Sequence, residues 1–260
     1  MAEHAALDPD AIELHRSGTG PNLVLLHCLG VDRHLWDIAA RDLDRHYTLL
    51  TYDFPGHGET APPAGSYGIE QLSLQLAAVL ERAGVTRTHV AGISLGGLVA
   101  QHFAAHHPEM VDRLALIDTT PRYVDEMRKM WVDRAATARR AGVPALIEGL
   151  LQIWFTPEFV AANPQAVRYV RDTLSRTSGE GYALACEALG AADLRPLVKE
   201  IKAPTLVVCG ENDIPPFLDA ARWLAANLPH AQLRWLGPAR HASVLEQPAA
   251  FRQTLQEFLA

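Results

Sequence analysis

Cysteine is scarce in this chain: Cys28, Cys186 and Cys209 are the three among 260 residues. Their odd number and irregular spacing match no metal pattern and suit free buried thiols in a reducing cytoplasm. Basic charge is also short. Lys and Arg total 23 against 30 Asp and Glu, a formal net charge of −7. That balance argues against a nucleic-acid partner and offers no polybasic face to a membrane. No apolar run is long enough to span a bilayer. The opening Met1-Ala2-Glu3-His4-Ala5-Ala6-Leu7-Asp8 has no basic region ahead of an apolar core, so no signal peptide is expected and the expected location is the cytoplasm. The 12 histidines form no His-Glu-x-x-His zinc pattern, so no metal site is expected.

What is present is apolar content of 48%, enough for a chain of this length to bury a full core. Short apolar runs alternate with helical patterns through the first half. Residues 11–17 read as a weak strand, 22–27 and 47–52 as stronger ones, 69–83 as an amphipathic helix and 113–117 as a further strand. Continuous apolar strands between helices indicate α/β architecture, a mostly parallel sheet covered on both faces. The alternation stops after Thr120. From Arg122 to Leu194 the pattern is helical, with breaks at Pro144, Pro157, Pro164 and Gly179. Strand character returns at 204–209 and 231–236, and a helix from Pro248 closes the chain. This divides the chain into a core (1–121), an all-helical lid (122–195) and the remainder of the core (196–260). No internal repeat or low-complexity tract interrupts it.

The motif that carries chemistry is Gly92-Ile93-Ser94-Leu95-Gly96, which follows His89-Val90-Ala91 and precedes a helical run from Leu98. Gly-x-Ser-x-Gly arises by chance in many chains. Between a strand and a helix it is a nucleophile elbow, a turn so tight that it exposes one serine at its tip. Ser94 is therefore the candidate nucleophile. A serine hydroxyl needs a base in hydrogen-bond reach and a carboxylate to orient that base. On this scaffold the order along the chain is Ser, then Asp or Glu, then His. Asp213, just after the strand at 204–209, is the candidate acid, and His241, after the last strand, is the candidate base. Asp118 also ends a strand and is the rival acid, while Glu211 is expected to be structural or rim-exposed. The backbone N–H groups of Leu29 and Leu95 are the candidate oxyanion donors. His27 is expected to brace the Leu29 loop, and Cys28 to serve packing.

These segments resemble the α/β-hydrolase superfamily over the whole chain, and within it most resemble the 3-oxoadipate enol-lactonases of bacterial aromatic degradation. The superfamily resemblance rests on Cys28-Leu29-Gly30-Val31-Asp32-Arg33-His34-Leu35-Trp36, on Asp53-Phe54-Pro55-Gly56-His57-Gly58 and on the elbow. The lactonase resemblance rests on Trp154-Phe155-Thr156-Pro157-Glu158-Phe159, Glu180-Gly181-Tyr182-Ala183-Leu184-Ala185-Cys186 and Ala192-Asp193-Leu194-Arg195. Two stretches depart from that pattern: Asp213-Ile214-Pro215-Pro216 and His241-Ala242-Ser243, both bordering the cleft. The resemblance implies the α/β-hydrolase fold and a small acidic lactone as substrate. Ser94 would attack the ring carbonyl, the enol leaving group would stay tethered, and no cofactor would be needed. The substrate's carboxylate calls for a cation. Of Arg122, Arg128, Lys129, Arg134, Arg139 and Arg140 in the lid, Arg134 is the candidate, with Trp131 and Trp154 lining the pocket. The same triad would serve a carboxylesterase, a perhydrolase or a carbon–carbon bond hydrolase. A ligand-binding signalling protein on this scaffold is the alternative from another class.

Overall fold

The structure is a computed structural model that describes residues 6–260. The first five residues of the opening weighed for a signal peptide lie outside the described residues. Seven strands form one sheet: β1 (His15–Ser17), β2 (Asn22–Leu26), β3 (Thr48–Thr51), β4 (Thr88–Ile93), β5 (Val111–Ile117), β6 (Thr205–Gly210) and β7 (Ala231–Leu236), in the order β1-β3-β2-β4-β5-β6-β7. β1 runs antiparallel to β3, and every other neighbouring pair is parallel. Parallel strands need crossovers, and the helices that supply them cover both faces. Every residue of the central β4 and β6 is accordingly buried.

The helices are α1 (Leu35–Ala39), α2 (Ile69–Arg82), α3 (Leu95–His106), α4 (Asp125–Ala141), α5 (Ile147–Trp154), α6 (Pro157–Ala162), α7 (Gln165–Arg176), α8 (Gly179–Ala191), α9 (Pro215–Asn227), α10 (Ser243–Glu246) and α11 (Pro248–Leu259). The helix read at 69–83 is α2. It buries Ile69, Leu72, Leu76, Val79 and Leu80, the stripe its periodicity specifies, and the Gln71 side chain accepts from the Gly68 N–H at 2.9 Å to cap its start. The expected breaks fall at helix junctions. Pro157 and Gly179 open α6 and α8, Pro164 caps α7, and Pro144 lies in a 3₁₀ turn over Val143–Leu146.

Two readings need correction. The weak strand at 11–17 shrinks to His15–Ser17, preceded by a 3₁₀ turn at Pro9–Ala11, because this edge strand is largely exposed and lacks a buried face. The helix α9 has no counterpart in the sequence reading. Pro215 and Pro216 occupy its first turn, where a missing N–H costs nothing.

Helices α4 to α8 lie between β5 and β6, and both stems of this insertion meet. Arg122 and Asp193 form a bridge, and the Leu194 N–H donates to the Pro121 carbonyl at 2.8 Å. Hydrogen bonds also tie the insertion to the core. The Tyr169 hydroxyl donates to Asp32 Oδ1 at 2.7 Å, and the Thr177 hydroxyl to the Gly30 carbonyl at 2.9 Å. Among the described residues no helix is long and apolar enough to cross a membrane.

The β4–α3 junction is the tightest point of the fold. A Cβ on Gly92 would stand 2.2 Å from the Gly96 carbonyl oxygen, and one on Gly96 would stand 2.3 Å from the Leu26 carbonyl oxygen. Gly92→Ala is therefore expected to destabilise by at least the roughly 1–3 kcal/mol of an overpacked core. Gly149→Ala, in α5 with nothing within 4 Å, is expected to stabilise slightly. Thermal melting of both variants checks the contrast; equal Tm values would contradict it.

Candidate active site

Ser94 sits between β4 and α3 with φ 52° and ψ −110°. A positive φ on a non-glycine residue is strained by about 1–3 kcal/mol. Three bonds hold it there. The Ser94 N–H donates to the Ile117 carbonyl at 2.9 Å, the Thr119 hydroxyl donates to the Ser94 carbonyl at 2.8 Å, and the Gly96 N–H donates to the His27 carbonyl at 3.1 Å. The turn aims the side chain away from the strand, toward the helical insertion.

The structure brings His241 and Asp213 to it. His241 Nε2 lies 3.2 Å from Ser94 Oγ, and His241 Nδ1 lies 2.9 Å from Asp213 Oδ2. The remaining Asp213 oxygen accepts the Ile214 N–H at 2.7 Å. All three side chains are buried. Burial alone would lower the imidazole pKa, but the charge and hydrogen bond of Asp213, helped by Asp118, outweigh it and raise the pKa above its ordinary value. The chain Asp213–His241–Ser94 can thus move a proton from Oγ to the imidazole and stabilise the cation formed.

Asp118, the rival acid, makes no bond to His241. It is fully buried, with φ 44°, and its oxygens accept from the Gly210 N–H at 2.9 Å and from the Ser243 N–H and hydroxyl at 3.1 and 2.7 Å. Gly210 ends the strand that leads to Asp213, and Ser243 follows His241 by two residues. Asp118 is therefore a crossbar between the segments that carry acid and base. Burial pushes its carboxyl up to about 7 despite these donors. Glu211 is exposed, as its expected rim position requires.

On the other side of Ser94, the loop after β2 carries Leu29. His27 braces this loop with both nitrogens: Nδ1 faces the Cys28 carbonyl at 2.8 Å and Nε2 accepts the Phe54 N–H at 2.9 Å. Burial lowers its pKa, which suits a neutral bracing imidazole. Cys28 is buried and its thiol is raised well above its usual range by burial, so it packs rather than reacts. The Leu95 N–H begins α3, where helix geometry leaves it without an intrahelical acceptor.

Leu29, Ser94, Trp131, Arg134, Trp154 and His241 line one cavity. The insertion thus forms its roof. Arg134 stacks over Trp131 at 4.9 Å and touches Met130 Sδ at 3.3 Å. Among the described residues it forms no ion pair. Arg122 pairs with Asp125 and Asp193, and Arg139 with Glu180 and Glu187. The roof is also bonded to the His241 loop: the Ala242 N–H donates to the Trp154 carbonyl at 2.9 Å, and Glu246 accepts from Thr156 on one side and the Arg240 N–H on the other.

Sequence reasoning did not flag Tyr123 or Phe217. Phe217 lies against the His241 ring with centroids 4.1 Å apart, and Tyr123 packs edge-on to both Phe217 and Trp131. Phe217 is far in sequence from both His241 and Tyr123, so no spacing signal joins them. Asp118, Cys209 and Asp213 place candidate ligand atoms within 4.8 Å of one another. Their four carboxylate oxygens already accept protein hydrogen bonds, and burial raises the Cys209 thiol, so the trio is poorly disposed to hold an ion.

Comparison with known proteins agrees with this architecture. The alpha/beta hydrolase fold family matches residues 21–248. The chain is 32% identical to 3-oxoadipate enol-lactonase 2 of Acinetobacter baylyi over 91% of its own length and 87% of the relative's. It is also 32% identical to a pimeloyl-[acyl-carrier protein] methyl ester esterase of Chromobacterium violaceum, over 93% and 95%. The crystal structure of an enol-lactonase from Burkholderia xenovorans superimposes with a TM-score of 0.91 at 35% identity, covering 95% of this chain and 96% of that one. By fold and by a match over most of its length, the chain belongs to the alpha/beta hydrolase fold family and is a hydrolase.

Proposed function

We propose that the protein is a serine carboxylic-ester hydrolase that opens a small acidic enol-lactone, 3-oxoadipate enol-lactone, to 3-oxoadipate. The observation that carries the reading is the Ser94–His241–Asp213 chain under a roof whose Arg134 forms no ion pair among the described residues. Ser94 is the nucleophile, His241 the base and Asp213 its orienting acid. As Oγ bonds to the ring carbonyl, His241 takes its proton, and the Leu29 and Leu95 N–H groups receive the oxyanion. The ring carbon–oxygen bond then breaks, the proton passes from His241 to the departing enol oxygen, and the enol stays tethered to the acyl group. Water activated by His241 releases 3-oxoadipate and restores Ser94. No metal or cofactor enters these steps.

Arg134 supplies the cation for the substrate's carboxylate, with Trp131 and Trp154 as apolar walls. The cavity they line is about 40 Å³, a few water molecules' worth. A lactone therefore enters by displacing roof side chains of α4 and α5. The partner is a small molecule, and the likeness at 32–35% identity to enol-lactonases supports the lactone. The equal identity to a methyl ester esterase favours a second reading, an acyclic ester substrate. A kcat/KM for the enol-lactone well above that for a small methyl ester supports the first reading; the reverse order supports the second.

Ser94→Ala is expected to remove turnover by about a thousandfold or more while leaving Tm near that of the parent; retained activity would exclude Ser94 as nucleophile. Because the folded-state pKa of His241 is raised, its basic form is lost as pH falls through a value above the usual 6.5. The profile of kcat/KM should bend there. In Asp213→Asn burial is less opposed, so the bend should move to lower pH and kcat should fall by on the order of ten-thousandfold. A flat rate from about pH 5 to 9 would contradict a histidine base. Arg134→Ala should raise KM for the acidic lactone and leave KM for a neutral ester in place; equal effects on both would make Arg134 structural.

A further inference from the structure

His241 stands in a short loop whose backbone is anchored from outside. The Ser243 N–H donates to Asp118 Oδ2 at 3.1 Å, the Ala242 N–H to the Trp154 carbonyl at 2.9 Å, and the Arg240 N–H to Glu246 Oε2 at 2.6 Å. Asp118 belongs to the sheet, just after β5, whereas Trp154 ends α5 in the helical insertion. Glu246 ends α10, and its other oxygen also faces the insertion. Oε1 accepts the Thr156 N–H at 2.9 Å and the Thr156 hydroxyl at 2.7 Å. The Arg240 guanidinium adds a bond to the Gln152 carbonyl.

Both residues that flank His241 are thus held by the segment Gln152–Thr156, directly or through Glu246. The same segment builds the cavity wall, where Ile153 and Trp154 stand beside His241. Glu246 is 7% exposed, so little water competes for its oxygens. A buried carboxylate with three donors is a firm link, and a donor that loses it is left unpaired at a cost of about 1–3 kcal/mol.

We infer that Glu246 is a positioning residue for the general base, and that Thr156 of the roof sets it in place. The roof is then part of what aims the imidazole, beyond covering the cavity. The inference rests on His241 being the base for Ser94. The two His241 nitrogens face Asp213 and Ser94, so Glu246 acts through the backbone of Arg240, one residue earlier. An imidazole engaged at both nitrogens tolerates little displacement, and an error of about 1 Å costs on the order of a hundredfold in rate.

Three variants test the link. Glu246→Gln keeps the shape but has a single acceptor oxygen, so its amide N–H groups confront either the Arg240 or the Thr156 N–H. Thr156→Val removes the hydroxyl and keeps the branched shape, whereas Thr156→Ser keeps the hydroxyl. Each is assayed well below its Tm on p-nitrophenyl acetate and on the enol-lactone. Acylation and deacylation both use His241, so kcat should fall on both substrates with KM for the neutral ester near the parent's. The expected loss is on the order of tenfold to a hundredfold in Glu246→Gln and about fivefold in Thr156→Val, with Thr156→Ser close to the parent. An unchanged kcat in Glu246→Gln and Thr156→Val overturns the proposal, as does a loss confined to KM for the lactone, because the roof then serves binding alone. A loss in Thr156→Ser equal to that in Thr156→Val also overturns it, because packing and not the hydroxyl is then at work. If Glu246→Gln shows no cooperative melt, the Thr156 pair decides. His241→Ala, assayed in parallel, separates the two failures. Turnover retained there means that the base assignment has failed. Turnover abolished there, with kcat intact in the other variants, means that the positioning role alone has failed.

Discussion

The site depends on one backbone constraint: Ser94 held at positive φ at the end of β4. L-residues resist this conformation, so something must hold it. Close approach does so. Gly96 lies against the Leu26 and His27 carbonyls, Gly92 lies against Gly96, and Thr119 bonds the Ser94 carbonyl. The Gly96 contact joins the turn to the end of β2, and the Thr119 bond joins it to the end of β5. The turn therefore fixes Ser94 relative to both the Leu29 loop and the Asp118 turn in the same stroke.

Asp118 extends that rigidity to acid and base. Its carboxyl is bonded to Gly210 and Ser243, which belong to the two segments bearing Asp213 and His241. Glu246 ties the His241 loop to Thr156 in the roof, and the Ala242 N–H meets the Trp154 carbonyl. The roof and the imidazole are thus mechanically connected. The arrangement keeps Ser94, His241 and Asp213 preorganised.

Much of this was legible in the sequence, for physical reasons. The elbow announces itself because only glycine fits where backbone touches backbone at Gly92 and Gly96. Central strands announce themselves because burial on both faces demands unbroken apolar runs, as in β4 and β6. β1 lacks such a face, so its pattern was faint and its extent overread. Asp213 is the candidate acid the sequence favours over Asp118, and the hydrogen bond to His241 belongs to Asp213. Arg134 is one of ten Lys and Arg residues between 122 and 195. What distinguishes it, a place in the cavity lining beside Ser94 and His241, is a property of packing rather than of spacing. Phe217 left no trace, because His241 reaches it only through the fold.

The central claim is that the strained serine carries the acyl group of a lactone. Rapid-quench mass spectrometry of the enzyme mixed with 3-oxoadipate enol-lactone tests it most directly. Because the leaving enol stays tethered, the account predicts a transient adduct with the full mass of the lactone, mapped to the peptide containing Ser94. An adduct on any other residue, or product formed with no adduct at any quench time, would contradict it.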